Sequence, residues 1–197
     1  MIVNLRGASG AGKSTLVHRL LAEFPHEPIE AVLSNWKKPK IVAYKVDTSD
    51  FSLATYVIGS YKTQCGGCDS LSYKGAFEDI QELVEAGAEK GNVIFEGLTC
   101  SSVYGRFLKV SAKFPGEYVW CFLDTPEDVC YQRIMARNGG KEPKRDKNGI
   151  ADYQRKYRGC MIQMVKLQEL GEHTEMISSD DAGYAKLLEL LKSKPSS

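Results

Sequence analysis

The sequence predicts an α/β fold in which a parallel sheet is covered by helices on both faces. Short apolar runs, typical of buried strands, alternate along the chain with longer segments whose apolar residues recur at helical spacing. The first such pair, residues 2–5 and 16–24, is joined by a glycine-rich segment. Because alternating strands and helices build parallel sheets, we expect the functional residues beyond the carboxyl ends of the strands.

The glycine-rich segment, residues 7–14, reads Gly-Ala-Ser-Gly-Ala-Gly-Lys-Ser and matches the phosphate-binding pattern G-x-x-x-x-G-K-[ST]. Its glycines allow backbone N–H groups to surround a phosphate at the positive end of the following helix. In this pattern Lys13 contacts the β- and γ-phosphates and Ser14 binds Mg²⁺. The sequence therefore predicts a P-loop NTPase fold that binds ATP and Mg²⁺. The expected nucleotide-binding residues of the loop are Gly7, Ala8, Ser9, Gly10, Ala11, Gly12, Lys13, Ser14 and Thr15.

The remaining elements follow in order along the chain. Pro25 and Pro28 indicate a loop or a short helical hairpin before residue 40. Apolar runs then predict strands over residues 41–46, 56–61, 93–95, 118–123 and 176–177, and helical spacing predicts helices over 77–88, 103–110, 153–167 and 184–191. Thr125 is expected to cap a further helix that begins at Pro126. We expect one domain over residues 1–192, with a lid-like segment at about 126–150 and a disordered tail at 193–197.

The composition excludes several classes of protein. Hydrophobic residues make up 43% and charged residues 26% of the 197, as in ordinary globular proteins. The formal net charge of +1 argues against a protein that coats nucleic acid, although it permits a local basic patch. No apolar stretch approaches the ~20 residues that cross a bilayer, and the N-terminus does not resemble a signal peptide. We therefore expect a cytoplasmic protein with no membrane partner.

Phosphoryl transfer also needs a carboxylate near the metal ion and positive charge around the transferred group. Glu96 directly follows an apolar strand, as a Walker-B carboxylate does, and could bind Mg²⁺ through water or act as the base. Its ordinary alternative is an acid facing solvent at a strand end. Arg133 and Arg137 lie four residues apart, so both project from one helix face towards the phosphates or, alternatively, into solvent.

Two candidates for the base that accepts the proton of the acceptor hydroxyl lie in the middle of the chain. Asp69 follows the sequence Cys65-Gly-Gly-Cys68, which predicts a tight loop, since no second pair of cysteines or histidines exists to complete a zinc site. A turn-forming aspartate is the alternative for Asp69. Asp47 ends a predicted strand and is the second candidate. Tyr61, Tyr73 and Trp36 could stack on a base, although core or surface packing is the commoner role for each of them.

The chain as a whole resembles the thymidylate-kinase-like group of P-loop kinases. Residues 123–130 (Leu-Asp-Thr-Pro-Glu-Asp-Val-Cys), followed by Arg133 and Arg137, resemble the strand and lid helix of nucleoside and nucleotide kinases, whose lid arginines close on the phosphates. Many nucleoside kinases place an acid where Asp47 stands. However, the Asp-Arg pair of ordinary thymidylate kinases is absent, because Thr48 follows Asp47. This departure disfavours free dTMP as the substrate.

One stretch is more particular. Residues 57–69 (Val-Ile-Gly-Ser-Tyr-Lys-Thr-Gln-Cys-Gly-Gly-Cys-Asp), together with 93–97 (Val-Ile-Phe-Glu-Gly), are similar to the bacteriophage 5-hydroxymethyluridine DNA kinases. This resemblance implies transfer of phosphate from ATP to the 5-hydroxymethyl group of 5-hydroxymethyluracil in phage DNA, a step in thymidine hypermodification. The protein would then act in the cytoplasm of the host cell. A base to be modified must leave the stack, and the expected phosphate contacts are Lys37, Lys38, Lys40, Arg155, Lys156 and Arg158.

Two alternatives remain at this stage. The chain could phosphorylate a free nucleoside, nucleotide or other small metabolite, since the P-loop does not specify the acceptor. It could also be a nucleotide-binding switch that transfers nothing. The predicted lid arginines and the absence of a guanine-reading Asn-Lys-x-Asp sequence argue against a switch. The sequence leaves the oligomeric state open.

Overall fold

The structure, a computed structural model, describes residues 1–71, 76–143, 145 and 149–192. Across these residues the strands are β1 (Ile2–Arg6), β2 (His26–Ala31), β3 (Lys40–Val46), β4 (Thr55–Ile58), β5 (Asn92–Glu96), β6 (Tyr118–Leu123) and β7 (Thr174–Ile177). The helices are α1 (Lys13–Glu23), α2 (Ala76–Ala88), α3 (Leu98–Ser102), α4 (Gly105–Lys113), α5 (Glu127–Arg137), α6 (Asp152–Glu169) and α7 (Asp181–Lys192), with a 3₁₀ helix over Cys68–Leu71. The predicted tail 193–197, lid positions 144 and 146–148, and Tyr73 lie outside the described residues.

The strands form one sheet in the order β2-β3-β4-β5-β1-β6-β7. The five strands from β4 to β7 in this order are parallel, as predicted. At the other edge β3 is antiparallel to β4, and β2 is antiparallel to β3. The predicted parallel sheet is present, and it carries two antiparallel strands at this edge. Its strands are joined by the short connections 32–39 and 47–54, and antiparallel neighbours need no long crossover.

Strand β2 occupies a segment for which the two prolines predicted a loop or a helical hairpin. It is the edge strand and pairs only with β3. Pro28 cannot donate to a ladder, but an edge strand has one unpaired side where a missing N–H costs nothing. Most β2 side chains are exposed, so the strand lacks the apolar signal by which the others were recognised.

Helices cover both faces of the sheet, as predicted. On one face α1 and α7 pack on the strands through the core residues Leu16, Val17, Leu20, Leu187 and Leu191. On the other face α2, α4 and α6 pack through Ile80, Val84, Phe107, Val110 and Leu167. Because the central strands are buried on both faces, their functional groups can reach solvent only at the ends of the strands.

The direction of β3 decides which segments lie at the phosphate-loop edge of the sheet, meaning the side at which β1, β4 and β5 end. Ala43 pairs with Ile58 and Val46 pairs with Thr55, so β3 runs away from the edge where β1, β4 and β5 end. The beginning of β3 at Lys40, and the loop 32–39 before it, therefore lie at the same edge as the phosphate loop. Its end lies at the opposite edge. No helix among the described residues is long and apolar enough to cross a membrane.

Candidate active site

The phosphate loop connects β1 to α1 and is shaped by two glycines with positive φ. Gly10 has φ 81° and Gly12 has φ 98°, values that other residues rarely adopt. A Cβ on Gly10 would lie 2.4 Å from the carbonyl oxygen of Cys130, and one on Gly12 would lie 2.7 Å from Cβ of Ser179. The loop therefore needs these glycines both for its turn and for its contact with neighbouring segments.

The side chain of Lys13 is held inside this loop. Its ammonium donates to the carbonyl oxygens of Gly7 at 2.8 Å and Ala8 at 3.0 Å, and only 7% of the residue is exposed. The positive charge is thereby fixed among backbone groups at the N-terminus of α1. Anions bind well at such a place, because the first amides of a helix have no intrahelical partner and the helix dipole is positive there.

Glu96 ends β5 directly beside the loop. It is 1% exposed, and its Oε1 accepts a hydrogen bond from the hydroxyl of Ser14 at 2.9 Å. Burial raises the pKa of Glu96, while the charge of Lys13 and the Ser14 hydrogen bond act to lower it. A carboxylate paired with the P-loop serine is the arrangement expected where Mg²⁺ is held, so the two predicted metal-binding side chains lie together.

The Cys65-Gly-Gly-Cys68 segment forms the predicted tight loop, but its glycines approach protein rather than a ligand. A Cβ on Gly67 would lie 2.4 Å from Oε1 of Glu96, and one on Gly66 would lie 2.6 Å from the carbonyl oxygen of Ser60. The amide of Gly67 also donates to that carbonyl at 3.0 Å. The loop is thus folded flat against the carboxylate, which explains why both positions are glycine.

Asp69 begins the next turn and lies on the far side of Glu96. Its Oδ1 would be 3.1 Å from a Cβ on Gly97, the residue after Glu96. The side chain is exposed, and its negative charge contributes to the raised pKa of Glu96. Two of the three candidate carboxylates therefore lie together, one buried against the P-loop serine and the other open to solvent.

The arginines of α5 lie over the two loops. Arg133 donates to the carbonyl oxygen of Gly10 at 3.2 Å and to the hydroxyl of Ser179 at 3.0 Å, so its guanidinium lies on the phosphate loop. Arg137, one turn later, donates to Sγ of Cys65 at 3.0 Å. Both side chains are exposed, yet each contacts the loop that a lid arginine must approach. The expected shared face is present, and it faces the site.

The third candidate, Asp47, lies elsewhere. Because β3 is antiparallel to β4, Asp47 is at the opposite edge of the sheet from the phosphate loop. Its side chain is 71% exposed and pairs with Lys45 at 2.8 Å. The prediction that Asp47 lies with Glu96 at the functional edge is wrong, since it assumed a parallel β3.

Two of the candidates for base stacking, Tyr61 and Trp36, lie in different parts of the structure. Tyr61 is buried among Tyr44 and His18, with ring centres 6.2 Å and 5.4 Å away. Burial and the nearby charge of Glu96 raise the pKa of its hydroxyl well above the usual value. It therefore belongs to the packing behind Glu96. Trp36 is half-buried in the loop 32–39, where the Lys40 ammonium lies 4.7 Å from its ring centre.

The residues present fit ATP and Mg²⁺. The loop has the two positive-φ glycines, an enclosed lysine and a serine on a buried carboxylate. Among the described residues no group of three or more His, Cys, Asp and Glu side chains forms a metal site. A Mg²⁺ ion does not require such a group, because it often takes one or two protein ligands and completes its shell with phosphate oxygens and water.

Comparison with known proteins identifies the family. A family model described as 5-hmdU DNA kinase matches residues 1–171. The chain belongs to this family. The 5-hmdU DNA kinase of Pseudomonas phage M6 is 36% identical over 158 residues, which cover 78% of this chain and 79% of that protein. The 5-hmdU DNA kinase of Pseudomonas phage PaMx11 is 33% identical over 189 residues, 93% and 94% of the two chains.

The family makes the chain a kinase, a phosphotransferase with an alcohol group as acceptor. Among solved structures, a gluconokinase from Sinorhizobium meliloti 1021 matches 96% of this chain and 88% of its own, with a TM-score of 0.46 and 13% identity. That similarity is weak, and the fold rests on the sheet order and the phosphate loop described above.

Two residues of this kinase form hydrogen bonds to the phosphate loop that the sequence did not predict. Thr125 does not cap α5, whose N-cap is Pro126; its hydroxyl donates to the carbonyl oxygen of Ala11 at 2.8 Å and so joins the end of β6 to the phosphate loop. Ser101 accepts a hydrogen bond from the amide of Gly7 at 3.4 Å. Both contacts join segments distant in sequence, and no local signal indicates them.

Arg6 is the third unexpected residue. It is fully buried at the end of β1, with its guanidinium 5.2 Å from the ring of Trp120. It donates to the carbonyl oxygens of Cys100 at 3.0 Å and Ser101 at 2.9 Å, and to the side-chain oxygen of Gln163. Burial lowers the pKa of Arg6. A buried cation needs such acceptors, and here they tie α3 and α6 to the strand that carries the phosphate loop.

Proposed function

We propose that this kinase transfers the γ-phosphoryl group of ATP to the 5-hydroxymethyl oxygen of 5-hydroxymethyluracil in DNA, with Mg²⁺ held beside Ser14 and Glu96. The observation that carries the proposal is the convergence, at one sheet edge, of the enclosed Lys13, the Ser14–Glu96 pair and the exposed Asp69. Membership of the 5-hmdU DNA kinase family supports the acceptor. Both substrates are found in the cytoplasm of an infected cell, where we expect the protein to act.

The chemistry follows from the placement of these groups. Asp69 is placed to accept the proton of the hydroxymethyl group, because it is the exposed carboxylate beside the buried one. As the new O–P bond forms, the bond between the γ-phosphorus and the β–γ bridging oxygen breaks and ADP leaves. Lys13, Arg133 and Arg137 are the cations available to balance the charge on the transferred group. Mg²⁺, which Ser14 and Glu96 would hold, would supply further positive charge there.

Glu96 fits the metal-binding role better than the role of base. Its Oε1 accepts from Ser14 and it is almost completely enclosed, so an acceptor hydroxyl cannot approach it as freely as it approaches Asp69. Two clusters of basic residues, all exposed except the half-buried Lys156, support a nucleic acid acceptor. Lys37, Lys38 and Lys40 belong to the loop 32–39 and the start of β3 at this edge, and Arg155, Lys156 and Arg158 belong to the first half of α6.

The test is transfer of labelled γ-phosphate from ATP to three acceptors: DNA that contains 5-hydroxymethyluracil, the same DNA with thymine, and the free hydroxymethyl nucleoside. We expect label on the modified DNA alone. Label on the free nucleoside at equal efficiency would assign the chain to the metabolite kinases. If none of the three acceptors is labelled and ATP is hydrolysed at the same rate with and without an acceptor, the result would favour a nucleotide switch and overturn the proposal.

A further inference from the structure

A cavity of about 280 Å³ lies between α3 and α6, and no step described so far uses it. Its walls are Ser101, Ser102, Asp152, Arg155, Lys156, Gly159, Cys160 and Gln163. Ligand cavities in proteins range from roughly 300 to 1,000 Å³, so this one is just below that range and suits a single nucleotide rather than a duplex. We infer that it receives the hydroxymethyluracil nucleotide extruded from the DNA, an inference that rests on the proposed function.

Gly159 is the first observation that points to a ligand. It lies in the middle of α6, yet a Cβ at this position would meet nothing within 4 Å. A glycine inside a helix costs roughly 1 kcal/mol relative to alanine. Close packing does not require this glycine, in contrast to Gly66 and Gly67. Its absent side chain leaves the space over α6 open, as a planar base would need.

The walls of the cavity are held in place by hydrogen bonds, which is the second observation. Gln163 donates to the carbonyl oxygen of Ser102 at 3.3 Å and accepts from Arg6, and Arg6 also donates to the carbonyl oxygen of Ser101. The thiol of Cys160 faces that same carbonyl at 3.9 Å. A cavity with walls fixed in this way does not need to reorganise before it binds, which lowers the cost of binding.

The cavity is also close enough to the reacting groups. Gly97 is against Asp69, and Ser101, four residues further along, lines the cavity and accepts from the amide of Gly7. A helical rise of about 1.5 Å per residue places these two points about 6 Å apart along α3. The wall of the cavity at Ser101 therefore lies about one helical turn from the residue that contacts Asp69, and it is on this side that we place the 5-hydroxymethyl group of the bound base.

The rim of the cavity has the charge that a DNA backbone requires. Asp152 pairs with Arg155 at 2.8 Å and with Lys156, and these hydrogen bonds lower the pKa of the Asp152 carboxyl. Two cations thus share one carboxylate, which leaves one net positive charge beside the opening. A phosphate next to the extruded nucleotide would be bound there, whereas the base itself would be recognised within the cavity.

The experiment fills the cavity without weakening the helix. In Gly159→Leu a good helix former replaces glycine, so the melting temperature should be equal or higher. The matched control is Gly105→Leu, since Gly105 is also a helical glycine with open space around its Cβ but lies in α4, outside the cavity. Four quantities are compared: KM for modified DNA, KM for ATP, the melting temperature, and the fluorescence of a 2-aminopurine placed beside the modified base, which rises when its neighbour leaves the stack.

For Gly159→Leu we expect KM for modified DNA to rise at least about tenfold, because the leucine side chain would occupy the open space that the base needs. KM for ATP should stay within about twofold, and the 2-aminopurine signal should be lost, because the extruded base has no place to bind. Gly105→Leu should resemble the wild type in all four.

An unchanged KM for DNA and an unchanged 2-aminopurine signal would overturn the inference and make Gly159 an ordinary surface glycine. A raised KM for ATP would assign the cavity to the donor instead. Failure of the proposed function is a separate result, because it appears as absent transfer by the wild type. In that case the loss or retention of the 2-aminopurine signal in Gly159→Leu still shows whether the cavity receives the extruded base.

Discussion

The donor side and the acceptor side of this site are built in different ways. The donor side is one continuous segment, β1, the phosphate loop and α1, whose shape depends on two positive-φ glycines and on a lysine bound by its own loop. The proposed acceptor side is the surface formed by the Cys65–Asp69 loop, α3, α6 and the loop 32–39. A local segment can be conserved as a pattern, whereas an assembled surface can change one segment at a time. Binding of phosphate and choice of acceptor can therefore vary independently.

The largest effect is expected from the donor side. Lys13→Ala removes the fixed charge from the β- and γ-phosphates, so kcat should fall by roughly 10³-fold, as for the loss of a strong electrostatic contact in a transition state. Single-turnover transfer of labelled phosphate measures this effect. The melting temperature serves as the control for folding, and a folded variant that keeps substantial activity would refute the role of Lys13.

The next effect should separate the two sides. Asp69→Asn removes the proposed base, and kcat should fall by roughly 10²-fold, within the usual range for general base catalysis. The affinity for ATP should not change, because Asp69 lies beside Gly97, outside the segment that forms the phosphate loop. Steady-state kinetics with ATP and modified DNA varied in turn measure both quantities.

Asp47→Asn is the matched control for Asp69→Asn, since it makes the same chemical change at the opposite edge of the sheet. It should leave kcat within about twofold of the wild type, as expected for a surface substitution. If the two variants exchanged behaviour, the assignment of the base would have to move to Asp47, and the strand direction of β3 would be in conflict with the chemistry.

A smaller effect is expected where the acceptor side contacts the DNA backbone. The double variant Lys37→Ala, Lys38→Ala should weaken DNA binding for any sequence and reduce the slope of log K against log salt by roughly two, about one for each lost phosphate contact. Fluorescence anisotropy at several salt concentrations measures the slope. Lys90→Ala, at the amino end of β5, is the control and should leave it unchanged. An equal change in both would indicate only a general effect of charge.

The smallest effect concerns the anchor of the loop 32–39. The Asp79 carboxylate accepts from the amide of Ser34 at 3.1 Å and from its hydroxyl at 2.7 Å, and so fixes the loop against α2. Asp79→Ala should lower stability by about 0.5–1.5 kcal/mol, the usual net contribution of a hydrogen bond, since the amide and the hydroxyl of exposed Ser34 lose their acceptor to water. KM for DNA should rise a few-fold while kcat stays constant. Glu82→Ala, exposed on the same helix, should change neither quantity.

The contrast between the two sides also explains what the sequence could predict. The phosphate loop, its flanking strand and helix, and Glu96 at the end of β5 were predicted correctly because their signals are local: residue type, spacing and periodicity. The strands that are buried on both faces could be predicted from the same kind of local signal. The family resemblance rested on residues 57–69 and 93–97, which prove to be in contact through Gly67 and Glu96.

The errors have a common physical cause. The role of Asp47 depended on the direction of β3, which hydrogen bonding to β4 determines and which the residues of β3 do not encode. β2 was missed because an exposed edge strand that tolerates proline has no apolar alternation. The hydroxyl of Thr125 was predicted to cap α5. It binds instead the carbonyl oxygen of Ala11, which is far away in sequence. The open space over Gly159 depends likewise on α3 lying opposite α6.

The buried guanidinium of Arg6 provides a route by which binding of one substrate would affect binding of the other. Its donors are shared between Ser101, whose hydroxyl holds the first amide of the phosphate loop, and Gln163 in the wall of the α3–α6 cavity. A shift of α6 when the acceptor binds would therefore be felt at Gly7. Such coupling is reciprocal: whatever factor the acceptor imposes on the affinity for ATP, ATP imposes on the affinity for the acceptor.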